Sequence, residues 1–142
     1  MEVKIKRVDK SLPLPHYQTK GSVAFDIYTR KDISIEPKEI KMAPSNLIIE
    51  TPQNFMLVIA ARSSLQKRSL MLANNVGIVD QDYCGENDEI STALYNFGNE
   101  TVEIKAGERI AQGIFVPIVK VNWQEVDKMS NNNRGGFGST GI

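Results

Sequence analysis

Several places in the chain put reactive groups next to stretches that would fix their position. From Asn74 to Gly85 the sequence reads N-N-V-G-I-V-D-Q-D-Y-C-G: an apolar run, Val76, Ile78 and Val79, broken by Gly77, then Asp80, Asp82 and Tyr83. A carboxylate where an apolar strand stops is a candidate general base. A glycine inside the strand lets another group approach the backbone closely. The same residues also read as a hairpin with two solvated aspartates. Arg62-Ser63-Ser64 follows directly on the apolar run Phe55 to Ala61. An arginine with two hydroxyls offers phosphate donors. Ser63 also suits the N-cap of a short helix over Leu65 to Arg68, and the two readings agree, because a helix N-terminus favours anions. Asp26 sits inside the apolar stretch Val23 to Tyr28. A carboxylate there is costly if buried and unpaired, so it faces solvent, binds a cation, or holds water around a metal. Arg134-Gly135-Gly136-Phe137-Gly138-Ser139-Thr140-Gly141 is glycine-rich around one aromatic. It reads either as a disordered terminus or as an arm that orders over a ligand, with Phe137 stacking on a flat ring.

The elements that must position these groups are short strands. Val3, Ile5 and Val8 alternate with charged residues and mark a first strand with one wet face. Ser11 to Gly21, with Pro13 and Pro15, is irregular, and its His16 is assigned no role. Further strands are expected at Ile33 to Ile35, Ile40 to Met42 and Leu47 to Glu50, with Phe55 to Ala61 as a buried central strand. Ile90 to Asn96 and Thr101 to Ile104 read as strands joined by a turn at Phe97-Gly98-Asn99. Gly107 to Gln112 leads into the run Ile114 to Val116, and Val119 to Trp123 reads as a last strand in which Trp123 packs. Many short strands with turn residues between them indicate an all-β sandwich or barrel, here residues 1–129, followed by a flexible C-terminal arm at 130–142.

Composition narrows the partners. The chain has 142 residues, enough for one domain with a sizeable core. Its 17 basic and 17 acidic residues balance, so no overall charge draws it to nucleic acid or to a membrane, and any polyanion site is a local cluster. One cysteine, Cys84, excludes an internal disulfide and implies a reducing setting. With a single histidine beside it, a Cys/His zinc site is not expected. Met1 to Lys10 has no apolar signal core, and no run reaches membrane-spanning length. A soluble cytoplasmic protein is expected.

Taken in order, five segments resemble the trimeric dUTP diphosphatase family: Ala24-Phe25-Asp26-Ile27-Tyr28, Arg62-Ser63-Ser64-Leu65, Asn74 through Gly85, Gly107 through Gln112, and Gly135 through Gly141. The resemblance covers the chain from about Leu14 onward. It implies a jelly-roll subunit in a homotrimer with active sites between subunits, and Mg²⁺-dependent hydrolysis of dUTP to dUMP and pyrophosphate, which limits uracil in DNA and supplies dUMP. Carried onto this sequence, Asp80 is the base that activates water. Tyr83 lies against the deoxyribose and leaves no room for a 2′-hydroxyl. Asn74 and the backbone of Gly77, Ile78, Val79 and Asp80 read the uracil edge. Arg62, Ser63, Ser64 and Gln112 hold phosphates, and Asp26 reaches the metal through water. Phe137 closes over the uracil from another subunit's arm, where Gly138, Ser139 and Thr140 contact phosphates. Family tails often carry an arginine two residues farther from the glycine pair, where Asn132 stands here; Arg134 is the phosphate candidate in this arm. The turn reads Tyr83-Cys84-Gly85 where Y-R-G is common, and residues around Asn87 to Glu89 lengthen the following hairpin.

Two rivals have different chemistry. The chain also resembles the dCTP deaminase family, which shares the fold and an R-S-S-L segment and carries a catalytic glutamate three residues before an asparagine. Here the asparagine is Asn96 and Ala93 stands in the glutamate's place, so water addition to a cytosine ring lacks its proton shuttle. A non-catalytic nucleotide sensor or binding module needs no base, whereas this chain retains Asp80, Gln112 and Phe137.

Overall fold

In the computed structural model, which describes residues 1–136, the chain is built from short antiparallel strands and a single 3-10 turn. The strands are β1 (Ile5–Arg7), β2 (Phe25–Tyr28), β3 (Ile33–Ile35), β4 (Ile40–Pro44), β5 (Leu47–Ile49), β6 (Phe55–Ala61), β7 (Leu70–Leu72), β8 (Gly77–Val79), β9 (Ser91–Asn96), β10 (Val102–Ile104) and β11 (Arg109–Pro117). One sheet has the order β2-β11-β6-β8, another β4-β9-β7, and the ribbons β1-β5 and β3-β10 complete a jelly-roll-like sandwich. Its core is one cluster that includes Ile27, Ile35, Ile49, Leu57, Leu72, Leu94, Ile104 and Ile110, all fully buried. Among the described residues no helix is long and apolar enough to cross a membrane.

β11 is the spine, pairing with β6 over Ala111 to Pro117 and with β2 over Arg109 to Gly113. Gly113 lies beside the Phe25 ring, and a Cβ there would come closer than 3.0 Å to it. Phe25 in turn packs on Tyr17 and Phe115 with ring centroids 6.1 and 5.8 Å away. The glycine is therefore what lets β2 and β11 close over an aromatic cluster. β6 is an inner strand of its sheet, as its apolar run requires. It buries only Leu57 and Ile59 fully, while Met56, Val58 and Ala60 on the opposite face are partly open.

Ile90 to Asn96 and Thr101 to Ile104 supply strands as expected, and the turn between them carries the chain to another sheet, because β9 pairs with β4 and β7 whereas β10 pairs with β3. Two expectations change. Val119 to Trp123 forms no strand among the described residues, and Trp123 does not pack: it is 93 % exposed and Val119 is 88 % exposed. The alternation there is real, but no strand edge of this chain pairs with it. The short helix over Leu65 to Arg68 is 3-10, its N-cap position is Ser64 rather than Ser63, and no side chain caps it.

Candidate active site

The chain places its reactive residues in two clefts that share no lining residue. The first, of about 290 Å³, is built on β8. Asn74, Gly77, Ile78, Val79, Asp80 and Tyr83 line it, with Met42, Ile59, Ile90 and Ser91 behind them. β8 is the edge of its sheet and pairs only with β6, through Gly77–Ile59, Ile78–Val58 and Val79–Leu57. An edge strand leaves half of its backbone N–H and C=O groups without a sheet partner, so this cleft has a row of directed donors and acceptors on one wall. At Gly77 a Cβ would stand 3.2 Å from Ile59 Cβ, which explains the glycine by packing on the core side. Asp80 follows the last strand residue. Its carboxylate is exposed and makes no hydrogen bond or ion pair among the described residues. It also borders a cleft lined by Phe55, Met56, Asp82 and Lys120.

The second, a groove of about 680 Å³, is cationic. His16, Gln18, Tyr28, Arg62, Ser64, Lys67, Arg68 and Arg109 line it together with Gly107 and Glu108. Asp26 organises it. This carboxylate, its side chain 8 % exposed, accepts from Arg62 Nε at 2.8 Å through one oxygen. Through the other it accepts from Arg109 at 3.1 Å and from Gln18 Nε2 at 2.7 Å. It does not face solvent; it holds two guanidiniums at the end of the sheet. The opposing positive charge and the hydrogen bonds offset what burial of a lone carboxylate would cost.

A bulge makes this possible. Arg109 opposes Tyr28 and Gln112 opposes Asp26, with the register slipping between Arg109 and Ala111. Residues three apart face opposite sides of a regular strand. The extra residue, Ile110, turns into the core, fully buried, and returns Arg109 and Gln112 to one face, as bulges beside functional sites commonly do. Gln112 then donates to the Ala61 carbonyl at 2.9 Å, one residue before Arg62.

Arg62, Ser64, Gln112 and Asp26 are thus brought together, and Asn74, Gly77, Ile78, Val79, Asp80 and Tyr83 form a separate group. Ser63 is exposed beside the groove without lining it, and Arg134 is exposed. Phe137, Gly138, Ser139 and Thr140 lie outside the described residues. Sequence reasoning did not single out Arg109, Gln18, Lys67 or His16 as groove residues. Arg109 had a signal, since it stands inside the G-E-R-I-A-Q segment; Gln18 and His16, on an irregular loop, had none. Arg68 is partly neutralised, paired with Glu108 at 2.5 Å.

Among the described residues no three carboxylate, imidazole or thiol groups gather to form a metal cage. Asp26 already receives three hydrogen bonds. A carboxylate has about four acceptor positions, so it retains room for a single water. Mg²⁺ keeps several waters and is held mainly by substrate phosphates, so a single water-mediated contact is what Asp26 could offer it.

The chain is similar to known proteins along nearly its whole length. A family model described as dUTPase matches residues 10–141. The deoxyuridine 5'-triphosphate nucleotidohydrolase of Nautilia profundicola is 39 % identical over 99 % of both chains. That of Thermoanaerobacter sp. is 40 % identical over 99 % of this chain and 97 % of its own. Among solved structures, the dUTPase of Staphylococcus bacteriophage 80alpha with dUpNHpp superposes with a TM-score of 0.88 at 20 % identity, over 99 % of each chain. A mutant dUTPase from phage phi11 of S. aureus, in which a structural Mg(II) ion is coordinated, superposes with a TM-score of 0.83 at 16 % identity, over 92 % of this chain and 100 % of its own.

Proposed function

The chain belongs to the dUTPase family, as a deoxyuridine triphosphate nucleotidohydrolase, and from that premise we propose that it splits dUTP into dUMP and pyrophosphate with water activated by Asp80. The observation that carries this reading is the cleft on β8, where Asn74, an open strand edge, Asp80 and Tyr83 surround one small volume. Uracil carries two carbonyl oxygens and one N–H on a single edge, and an unpaired strand edge with a neighbouring amide offers matching partners. On this reading the β8 wall excludes the 5-methyl of thymine, and the amino group of cytosine would meet a donor. Tyr83 faces the sugar and excludes a 2′-hydroxyl.

Asp80 accepts the proton of the attacking water, a role that typically contributes ~10²–10⁴-fold. Arg62, Ser63, Ser64 and Gln112 hold the phosphates, and Arg109 joins them from the same groove. Phosphoryl chemistry depends mainly on positioning and charge neutralisation, which these residues supply without a protein nucleophile. Bound Mg²⁺ would neutralise charge on the phosphate oxygens, with Asp26 as its water-mediated contact. Residues 130–142 act as an arm, Phe137 covering the uracil and Arg134, Gly138, Ser139 and Thr140 meeting the phosphates.

The uracil cleft and the cationic groove are separate within one chain, which favours a homotrimer whose sites combine surfaces of different subunits. Exposed apolar side chains support this: Ile40 and Met71 flank Tyr95 in one row of the β4-β9-β7 sheet, Met42 lies in the next, and Ile78 is open on β8. Contiguous exposed apolar surface of this kind marks contact sites.

The test is a panel of the four dNTPs, dUTP and UTP with Mg²⁺, read for pyrophosphate and for ammonia. Pyrophosphate from dUTP alone is expected. Ammonia from dCTP, or no turnover of dUTP, would contradict the reading.

A further inference from the structure

Tyr83 stands in the loop 80–90 between β8 and β9, which closes several local turns. Tyr83 N–H reaches the Asp80 carbonyl at 3.4 Å, Gly85 N–H the Asp88 carboxylate at 2.7 Å, and Glu89 N–H the Asn87 carbonyl at 2.9 Å. The loop is tied to the body of the fold at Gln81, whose side chain donates to the Phe55 carbonyl at 2.9 Å, at Glu86, which Lys6 reaches, and most densely at its far root. Glu89 receives Arg30 Nε at 2.9 Å and Arg30 Nη2 at 2.7 Å, a two-pronged pair, and also Asn46 N–H at 2.8 Å. Ile90 N–H then bonds the Leu47 carbonyl at 2.9 Å. Arg30 itself is fixed by its own N–H to the Pro44 carbonyl at 2.8 Å. The end of β2, the β4–β5 turn and the root of the Tyr83 loop therefore meet on one carboxylate. The Arg30 and Glu89 side chains are only 22 % and 17 % exposed, and a paired fork of this kind holds geometry as well as charge. The Tyr83 hydroxyl points to the Glu89 carbonyl, a long contact at 3.4 Å. Hydrogen bonding to Arg30 holds the Glu89 carboxyl below the ordinary glutamate value, with Asn46 N–H and Lys31 adding to the effect, and Glu89 raises Arg30 in return.

We propose that the Arg30–Glu89 pair is a positioning device that fixes Tyr83 against the sugar and so sets how strictly a 2′-hydroxyl is refused. This rests on the reading of Tyr83 as the sugar gate. Rejection of an added hydroxyl by packing alone is worth on the order of 10²-fold. It depends on the wall standing still, and displacements near an ångström are enough to cost a comparable factor. Neither Arg30 nor Glu89 lines the uracil cleft, so the pair acts on selectivity through the loop and leaves the chemistry to Asp80.

The experiment measures kcat and KM for dUTP and for UTP, with Mg²⁺, on the full-length enzyme and on Arg30→Met, Glu89→Gln, Arg30→Lys and Tyr83→Ala, with thermal unfolding of each. Both Arg30→Met and Glu89→Gln are expected to lower the dUTP-over-UTP ratio of kcat/KM by roughly tenfold or more, through a gain on UTP, while kcat on dUTP changes little. Arg30→Lys, which keeps the charge without the fork, restores part of the ratio. A purely structural pair would lower the unfolding temperature and leave the ratio alone, and that result overturns the proposal. Glu89→Gln is isosteric and decides alone if Arg30→Met does not fold. If Tyr83→Ala relaxes the ratio and the pair variants do not, the gate stands and the anchor is refuted. If Tyr83→Ala leaves the ratio unaltered, the gate reading itself fails and the anchor falls with it.

Discussion

Asp26 gathers three partners, Gln18 from nearby in the chain and Arg62 and Arg109 from far along it. The sequence exposes the anomaly, a carboxylate in a strand, and offers three resolutions without choosing among them. The choice depends on residues 36 and 83 positions away, which no local pattern connects. Asp26→Asn keeps the shape but leaves two guanidiniums facing each other without their counter-charge. Removing one partner of a buried pair costs ~3–5 kcal/mol; Arg109 is 43 % exposed, so solvent screens part of the penalty and the lower end, about 3 kcal/mol, is expected. Urea unfolding checks this, and an unshifted midpoint would mean the ion pairs contribute nothing. Asp80 is the converse case. Its place at the end of β8 follows from the apolar run before it, so its position was legible although its freedom from partners was not.

At the scale of elements, most strands were legible because alternation and proline or glycine punctuation survive in the fold. Pairing was not. β9 and β10 are neighbours in sequence yet belong to different sheets, because in a sandwich a turn can carry the chain across the core as readily as back along the same sheet. The β11 bulge was equally silent, since Arg109, Ile110 and Ala111 carry no marker of an extra residue. Gly113 has a physical reason visible only in three dimensions. Gly113→Ala forces a methyl into the Phe25 ring and is expected to destabilise by ~1–3 kcal/mol, the usual cost of overpacking, measured by urea or thermal unfolding. Phe25→Leu in the same background should recover part of the loss, and an indifferent Gly113→Ala would show that β2 and β11 can separate freely.

At the scale of the molecule, one chain looks unfinished. Its two clefts do not meet, its sheets present apolar rows outward, and the segment after Pro117 runs out with Val119, Val121 and Trp123 exposed. The all-β class was legible from strand spacing; the proposed trimer rests on the resemblance, because a surface that would meet copies of itself reads in sequence as ordinary strand. Solution scattering is expected to give a mass three times the 15.8 kDa chain. Co-expression of Asp80→Asn with a chain lacking residues 134–142 is expected to restore roughly a quarter of wild-type activity, the share of sites that random mixing in a ring of three equips with both an intact base and a partner's arm. A monomer, or mixed oligomers as inactive as either parent, would remove the shared site.

In the proposed mechanism turnover rests on the carboxylate after β8. Asp80→Asn preserves size and hydrogen-bonding reach but cannot take a proton from water. The decisive measurement pairs its turnover of dUTP under saturating Mg²⁺ with its affinity for a non-hydrolysable dUTP analogue. Turnover is expected to fall by ~10²–10⁴-fold while the affinity stays at the wild-type level. Hydrolysis at near wild-type rates, or a loss of binding that accounts for the whole loss of activity, would contradict the assignment of Asp80 as the base.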